Sequence, residues 1–374
     1  MNKNDIRTLA FAGLFFLQLP SCSSSNLSLK PRMENLPQDV VVLPTRSCGD
    51  LFFVTARING EDGFNLILDT GASGLSLSRE AARRLWRNGS TRHVNELRIG
   101  DYVVRDFDAT TSNQTATSAM LGERIDGLLG VNLFAGVLLT IDFPNRMIKL
   151  ERGSLDASSE NVTRYTGGER PFLKFQTAGV RQEFLLDTGF TGAIGVPSLE
   201  KMQLDGDPVF HSVSASVRGG FLTQAARLST DATWGPLRLS RPIVRTRKKR
   251  TPIIGTDILS RFALTFDHAK KLVRFDGPIH QAIGMEPLRS MGFIVSPEKG
   301  KYRVVHVIEN SPTHEAGIEL GDHVEAIDGN SLRIDCESRN NARRERSTLS
   351  HRTVTFSREG RQWDAVLRYV EQLP

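Results

Sequence analysis

Two short stretches of the sequence hold the same chemically active residues. "FNLILDTGASGLSLS" spans residues 64–78, and "EFLLDTGFTGAIGVP" spans residues 183–197. In each, an apolar run leads into an Asp-Thr-Gly triplet, which begins at Asp69 or Asp187. Two carboxylates at hydrogen-bonding distance hold one proton between them, because ionising both is costly. Such a pair offers a general base and a general acid together, which can activate water for hydrolysis without a metal or a protein nucleophile.

The residues that follow each aspartate suit two loops that meet at a two-fold axis. Gly71 and Gly189 allow a tight turn that projects each carboxylate toward the axis. The hydroxyls of Thr70 and Thr188 can hydrogen-bond across the axis and lock the loops together. We therefore expect these four residues to support the loops that carry the aspartates.

A second motif follows each triplet, in "IDGLLGVNLFAGVLLTIDFPNRMIKL" and "TPIIGTDILSRFALTFDHAKKLVRF". In both, two aliphatic residues precede a glycine, which is Gly130 or Gly255. An aspartate typical of a turn follows at the same distance, as Asp142 in the first and Asp267 in the second. Repetition over about a hundred residues predicts one structural unit used twice, with an approximate two-fold axis between the copies.

The chain that must position these motifs is predicted to be mostly β. Apolar or alternating runs rich in β-branched and aromatic residues, such as "LFFVTARI", "ELRIGDYVVRDFDA" and "FLKFQTAG", predict strands. Turn residues near 59–60, 145–146 and 269–270 separate several of them. Helical spacing behind a serine cap predicts a short helix at 78–87, and a second helix is expected near 197–202.

Both repeats resemble the lobes of the aspartic peptidase superfamily that contains retropepsins and pepsins. The two triplets and the two glycine motifs carry this resemblance, which covers about residues 50–277. One triplet occurs readily by chance in a turn, whereas two, each between an apolar strand and a glycine motif, are specific. The resemblance implies a pseudo-dimer of retropepsin-like (acid protease) β lobes at 47–155 and 165–278. It also implies an aspartic endopeptidase acting on proteins or peptides, with Asp69 and Asp187 catalytic and no cofactor.

The sequence departs from the pepsin pattern around the expected cleft. Ser76 stands where pepsin-like enzymes carry a tryptophan, and neither lobe has a convincing flap tyrosine. In the second lobe, Gly219 and Gly220 of "SVRGGFLTQ" permit a mobile hairpin that would contact substrate. The matching hairpin of the first lobe is expected between residues 87 and 92. For both segments an ordinary surface hairpin is an equal alternative.

Ala72 and Phe190 occupy the third position after each aspartate, where pepsin-like enzymes commonly carry serine or threonine. Without that hydroxyl, and with an apolar ring nearby, the ionised pair is less stabilised, so its apparent pKa values should rise. Ser73 and Thr191, one residue later, are expected to contact the substrate backbone, as the corresponding residues do in the family. The sequence thus predicts a pH optimum on the order of pH 5 to 7.

The pattern changes from about residue 281. The segment 281–374 resembles a PDZ domain of the kind attached to bacterial proteases. The matching residues are Ser311-Pro312, Ala316-Gly317, Gly321-Asp322 and Ile327-Asp328-Gly329. The resemblance implies a groove beside a sheet edge, at Gly292, Phe293 and Ile294, that accepts an extended C-terminal peptide by strand addition. The alternative is a domain that only packs against the lobes.

The N-terminus has the features of an export signal. Lys3 and Arg7 precede an apolar stretch at residues 9–19, which is too short to span a bilayer as a helix. The stretch ends in "LPSC", which resembles the lipobox of bacterial lipoproteins and implies lipidation at Cys22. Residues 23–46 would then form a tether.

The expected location is the periplasmic face of a bacterial membrane. The serine directly after Cys22 resembles the signal for sorting to the outer membrane. Pro20 is unusual inside a lipobox, so simple secretion or a periplasmic location with cleavage nearby stays open.

The net charge is +6 and the pI about 9.4, with basic runs at 245–250 and 343–346. Neither run has interleaved aromatic residues, so solvated loops are favoured over nucleic-acid binding. The run at 245–250 is interpreted as a solvated loop. The alternative is that it lies at a cleft rim and favours acidic substrates or an anionic membrane surface. Cys48 and Cys336 fit no metal-ligand spacing, and neither do the histidines. A disulfide between these cysteines stays open in an oxidising compartment.

One rival hypothesis belongs to a different functional class. The chain could be a PDZ-bearing scaffold whose lobes hold peptide in the cleft without cutting it. Both triplets are intact, and this favours the enzyme.

Overall fold

The computed structural model describes residues 32–33, 36, 38–86, 92–216, 219–298, 301–332, 336 and 350–373. Over these residues the protein is mostly β, with 52% in strands and 9% in helices, as the sequence predicts. Its described elements fall into a first unit (residues 32–155), a second unit (162–284) and a C-terminal unit (288–373).

The first unit contains most of its strands in one sheet. Its elements are β1 (Arg32–Met33), β2 (Val40–Leu43), β3 (Thr45–Cys48), β4 (Leu51–Ile58), β5 (Glu61–Leu68), β6 (Leu75–Ser78), α1 (Arg79–Leu85), β7 (His93–Ile99), β8 (Tyr102–Asp108), β9 (Thr110–Ser112), α2 (Thr115–Leu121), β10 (Gly127–Leu129), a 3-10 helix (Val131–Phe134), β11 (Leu138–Asp142) and β12 (Met147–Glu151).

The second unit follows. Its elements are β13 (Val162–Arg164), β14 (Phe172–Thr177), β15 (Val180–Leu186), β16 (Ile194–Val196), β17 (Val209–Ser216), β18 (Gly219–Arg227), β19 (Ala232–Trp234), β20 (Leu237–Ser240), β21 (Ile243–Thr246), β22 (Ile253–Ile254), α3 (Thr256–Leu259), β23 (Ala263–Asp267), β24 (Leu272–Asp276) and β25 (Ile283–Gly284).

The C-terminal unit is smaller. Its elements are β26 (Leu288–Ser290), β27 (Phe293–Glu298), β28 (Lys301–Val307), α4 (Pro312–Glu315), β29 (His323–Ile327), β30 (Asn330–Ser331), β31 (His351–Arg358), β32 (Arg361–Arg368) and β33 (Val370–Leu373).

The first two units repeat one unusual strand pairing. In the first unit, β10 lies parallel to β5 and antiparallel to β6, and β6 lies parallel to β9. In the second, β22 lies parallel to β15 and antiparallel to β16, and β16 lies parallel to β21. The repeated motifs of the sequence therefore correspond to a repeated arrangement of strands.

A third sheet joins the two units around an approximate two-fold axis. β11 pairs antiparallel with β23, and Thr140 lies opposite Thr265 at the centre of the pairing. These threonines occupy equivalent positions in the two repeats, and their buried hydroxyls are 2.9 Å apart. Asp142 and Asp267 end the two strands, and each accepts a backbone N–H three residues on, as expected of turn residues.

One continuous hydrophobic core runs through both units. Its largest fully buried side chains include Phe64, Phe134, Phe184, Trp234 and Phe275. Each such side chain contributes about 1.5–3 kcal/mol when it leaves water. The aspartate loops thus rest on a shared apolar base.

All three predicted turns and one of the two predicted helices are present. Asn59 and Gly60 have φ of 48° and 84° in the turn between β4 and β5. Ser78 caps α1 by accepting a hydrogen bond from the Ala81 N–H at 3.1 Å. The helix predicted near 197–202 is wrong, since this segment forms turns. The Met202 N–H donates to the Leu199 carbonyl at 2.9 Å, a bond of three-residue spacing that closes one turn without continuing as an α-helix.

Two predicted boundaries need correction. The sequence predicts a tether at residues 23–46, yet Val40–Leu43 forms β2 and pairs with β12. The apolar run "VVVL", which alternates between exposed and buried positions, explains why this segment joins a sheet. The boundary at 281 is also too early, because Ile283–Gly284 forms β25 against β20 of the second unit.

The C-terminal unit has its own sheet and its own core. β27, β28, β29, β31 and β32 form the sheet in that order, with β30 paired to β29. A separate cluster of buried residues lies beneath it: Met291, Val304, Ile318, Val324, Val354, Phe356 and Leu367. The unit packs on the second unit where Phe210 of β17 contacts His306 of β28, with ring centroids 4.8 Å apart.

Among the residues whose placement is described, no helix is long and apolar enough to cross a bilayer.

A disulfide joins the C-terminal unit to the first unit. Cys48 and Cys336 are bonded, and both are buried beside Leu51 and Phe53. The bond links positions 288 residues apart, so it restricts the unfolded chain over most of its length.

Replacing both cysteines by alanine should lower the free energy of unfolding by about 2–5 kcal/mol. Chemical denaturation with and without a reductant measures this change. The reductant should destabilise the wild type and leave the Cys48→Ala/Cys336→Ala variant unaffected. Equal effects on both proteins would contradict a stabilising role for the bond.

Candidate active site

Asp69 and Asp187 lie at the ends of equivalent strands. Asp69 follows β5, and its N–H donates to the Leu129 carbonyl at 2.9 Å. Asp187 follows β15, and its N–H donates to the Ile254 carbonyl, also at 2.9 Å. In both repeats the strand of the glycine motif therefore fixes where the aspartate leaves the sheet.

The two aspartate side chains lie close enough to share a proton through a hydrogen bond. Each also accepts a backbone N–H within its own loop, from Gly71 at 2.7 Å for Asp69 and from Gly189 at 3.0 Å for Asp187. Asp69 is only 8% exposed, whereas Asp187 is half-buried. Residues 118 apart in sequence thus form one carboxyl pair that remains open to solvent on one side.

Thr70 and Thr188 lock the two loops across the axis. The Thr70 N–H donates to Thr188 Oγ1 at 3.1 Å, and the Thr188 N–H donates to Thr70 Oγ1 at 3.0 Å. Each hydroxyl then donates to a carbonyl of the opposite unit, Thr70 to Leu186 at 2.6 Å and Thr188 to Leu68 at 3.0 Å. Four buried hydrogen bonds hold the aspartates in register.

Gly71 and Gly189 are required for a different reason from the one predicted. Neither has a positive φ, so the turn itself does not demand glycine. A Cβ on Gly71 would lie 2.7 Å from the Asp187 carboxyl carbon, and one on Gly189 would lie 2.6 Å from that of Asp69. Each glycine therefore makes room for the opposite carboxylate.

The glycine motifs pack directly against the aspartate loops. A Cβ on Gly130 would lie 2.6 Å from the Ala72 carbonyl oxygen, and one on Gly255 would lie 2.2 Å from that of Phe190. Only glycine allows this approach, so each glycine motif supports the aspartate loop of its own unit.

Burial raises the pKa of Asp69 well above its ordinary value of 3.8, and the neighbouring charge of Asp187 raises it further. Burial also raises the pKa of Asp187, while the charge of Arg247 opposes this rise. The two carboxyl groups therefore hold one proton between them. The direction agrees with the expected rise. The main causes of the rise at Asp69 are burial and the charge of Asp187. The Phe190 ring packs over Gly192 and Gly255.

Ser73 and Thr191, predicted to contact substrate, are exposed just beyond the two triplets. Gly219 and Gly220 begin β18, which pairs with β17 as a long hairpin whose residues 217–218 lie outside the described residues. β17 lies against α2 of the first unit, so this hairpin bridges the two units. The hairpin expected in the first unit falls on residues 87–91, which also lie outside the described residues, as does Cys22.

Gly292, Phe293 and Ile294 belong to the C-terminal unit, where the chain enters edge strand β27 of its sheet. Gly292 has a φ of 104°, and a Cβ there would lie 2.1 Å from Ser311 Oγ. Ile294 is buried and Phe293 is half-buried. No group of three or more potential metal ligands occurs within the described parts of the chain.

Sequence reasoning missed Arg247 as a residue of this site. It belongs to the basic run 245–250 and is half-buried, whereas Lys249 and Arg250 are exposed. The charge of Arg247 acts on Asp187, and that of Lys249 acts on both aspartates. The sequence did indicate this position, since the basic run 245–250 ends just before the second glycine motif, which packs against the loop of Asp187.

Comparison with models of protein families finds no match to this sequence, and comparison with curated proteins finds none. Among solved structures, the chain is similar to a retropepsin-like aspartic protease from Rickettsia conorii, with 18% identity and a TM-score of 0.23. The similarity covers 33% of this chain and 96% of that chain. At this TM-score the likeness is too weak to establish a shared fold.

Replacing Thr70 by valine should lower the free energy of unfolding by about 2–4 kcal/mol, because the Thr188 N–H and the Leu186 carbonyl lose their buried partner. Chemical denaturation measures the loss. Thr256→Val is the matched control, since the buried Thr256 hydroxyl makes no hydrogen bond within the described structure. Similar losses in both variants would contradict the role of the cross-axis bonds.

The pKa of Asp69 also predicts how stability depends on pH. Above 3.8 the unfolded Asp69 loses its proton while the folded one keeps it, so stability falls as pH rises toward the folded pKa. Asp69→Asn removes this loss, because asparagine cannot ionise and preserves the shape. The melting temperature of the variant should exceed that of the wild type, by an amount that grows between pH 4 and neutrality.

The exposed Asp207 provides the control, because Asp207→Asn should follow the wild-type profile at every pH. A melting-temperature difference between Asp69→Asn and the wild type that does not change with pH would contradict the raised pKa of Asp69.

Proposed function

We propose that this protein is an aspartic endopeptidase that hydrolyses peptide bonds with water activated between Asp69 and Asp187. The observation that carries the proposal is the buried carboxyl pair, held by hydrogen bonds across an approximate two-fold axis. A buried carboxyl pair with a shared proton is costly to keep for structure alone. A function in general acid–base catalysis would explain why the protein keeps this costly arrangement.

In the proposed first step, Asp187 acts as the base and takes a proton from water as the water oxygen attacks the peptide carbonyl carbon. Asp69 gives its proton to the carbonyl oxygen, which produces a neutral gem-diol. In the second step the amide nitrogen takes the proton now on Asp187, and the C–N bond breaks. A gem-diol hydroxyl returns its proton to Asp69. The products are a carboxylic acid and an amine, and the pair recovers its starting state.

Further parts of the protein suit this function. The first and second units would form the two lobes of this peptidase, and the β17–β18 hairpin contacts α2 of the first unit. Ser73 and Thr191 are exposed where an extended substrate backbone would pass. These residues are proposed to bind substrate, and the hairpin to cover it.

The C-terminal unit is proposed to be a PDZ domain that binds the C-terminus of a substrate or partner. β27 is at the edge of its sheet, which is the position that strand addition requires. We also propose export and anchoring of the protein through a lipid on Cys22, at the periplasmic face of a bacterial outer membrane. The buried disulfide suits an oxidising compartment of this kind.

Asp69→Asn and Asp187→Asn should each reduce turnover of an unfolded protein substrate such as casein by at least about 10³-fold. The double variant should be no less active than either single variant, because the two residues act as one unit. Fluorescent peptide release measures the rates, and circular dichroism checks that each variant is folded. Substantial activity in either single variant would contradict a single intramolecular pair.

The scaffold hypothesis gives the opposite result in the same assay. If the protein only holds peptides, the wild type would release no fragments from casein. The Asp→Asn variants would then bind peptide as tightly as the wild type.

A further inference from the structure

The basic run 245–250 brings one arginine near the carboxyl pair. Arg247 follows β21, and its N–H donates to the Val196 carbonyl at 2.8 Å. This bond ties its backbone to β16, the strand that follows the second aspartate loop. Its stem then crosses Gly195, where a Cβ would lie 3.1 Å from Arg247 Cδ. The local structure therefore directs the side chain back toward the carboxyl pair.

The Arg247 guanidinium is held in place but is left with unused donors. It lies 5.8 Å from the centroid of the Phe190 ring, and Nη1 donates to the Thr251 carbonyl at 3.3 Å. A guanidinium has five N–H donors in a planar fork that suits two carboxylate oxygens. Within the described residues no carboxylate lies within 4 Å of it, although Asp187 and Asp69 are near enough to interact electrostatically.

Because the Arg247 guanidinium is partly buried, a hydrogen bond to an anionic partner would stabilise it more than at a fully exposed position. Desolvation already lowers the pKa of Arg247, which marks a cation that has lost water without gaining a close anion. Lys249 adds a second positive charge that reaches both aspartates. A peptide lying across the carboxyl pair would pass this positive field.

We infer that Arg247, assisted by Lys249, selects substrates with an aspartate or glutamate close to the bond that is cut. The substrate carboxylate would accept the free N–H groups of Arg247 and complete its hydrogen bonding. This inference rests on the proposed peptidase activity and adds a substrate class to it, namely acidic peptides. Exposed parts of the run, such as Arg250, are free to contact solvent instead.

The test begins with a peptide library made from a bacterial proteome, with cleavage sites read by mass spectrometry. The best-cleaved sequence is then made as a matched pair, with aspartate or asparagine at the acidic position. The wild type should prefer the aspartate peptide by about 10- to 100-fold in kcat/KM, as expected of a hydrogen bond to a charged group. Arg247→Gln should reduce this preference to near unity.

Three further variants complete the test. Arg247→Lys should retain part of the preference, Arg247→Glu should favour a lysine at the same position, and Arg250→Gln should behave as the wild type. The ratio between paired peptides is the readout, so a general change in turnover does not affect it.

Two failures can be told apart. If no peptide is cleaved, the proposed function fails. If peptides are cleaved without an acidic preference, or if Arg247→Gln keeps it, only this inference is overturned. Loss of binding to phosphatidylglycerol vesicles in Arg247→Gln, with an unchanged peptide preference, would also overturn it and assign the charge to a membrane contact.

Discussion

The contact between two buried carboxyl groups is the constraint on which the arrangement around the axis depends. Such a pair is unstable unless its position is enforced, because each group loses water and repels the other when ionised. The cross-axis hydrogen bonds of Thr70 and Thr188 supply this enforcement at the loops. The pairing of β11 with β23 supplies it at the base of the two units. The same axis thus organises the site and the core below it.

The positive charges near the second loop act on the same pair. The charge of Arg247 opposes the rise in the pKa of Asp187, whereas burial and the charge of Asp187 both raise the pKa of Asp69. An approximately symmetric backbone therefore carries an asymmetric electrostatic environment. In the proposed peptidase, this asymmetry would favour Asp187 as the proton acceptor and Asp69 as the proton donor.

Much of this arrangement was predictable because the sequence contains the same two motifs in each unit. The repeated triplets and glycine motifs predicted the paired units and the threonine bonds, since each motif has a local steric or hydrogen-bonding requirement. The position of the Arg247 side chain was not predictable from the sequence. It depends on the parallel pairing of β16 with β21, which brings the aliphatic part of Arg247 across Gly195. The pairing of Cys48 with Cys336 and of β25 with β20 also depends on tertiary packing, which short motifs do not encode.

The central claim is that Asp69 and Asp187 form one titrating unit. Carbon-13 NMR of the aspartate carboxyl carbons, assigned with the two Asp→Asn variants, tests it directly across the pH range in which the protein stays folded. The account predicts that both carbons report the same two coupled steps, with the upper step above the ordinary value of 3.8. Two independent single steps near that value would contradict it.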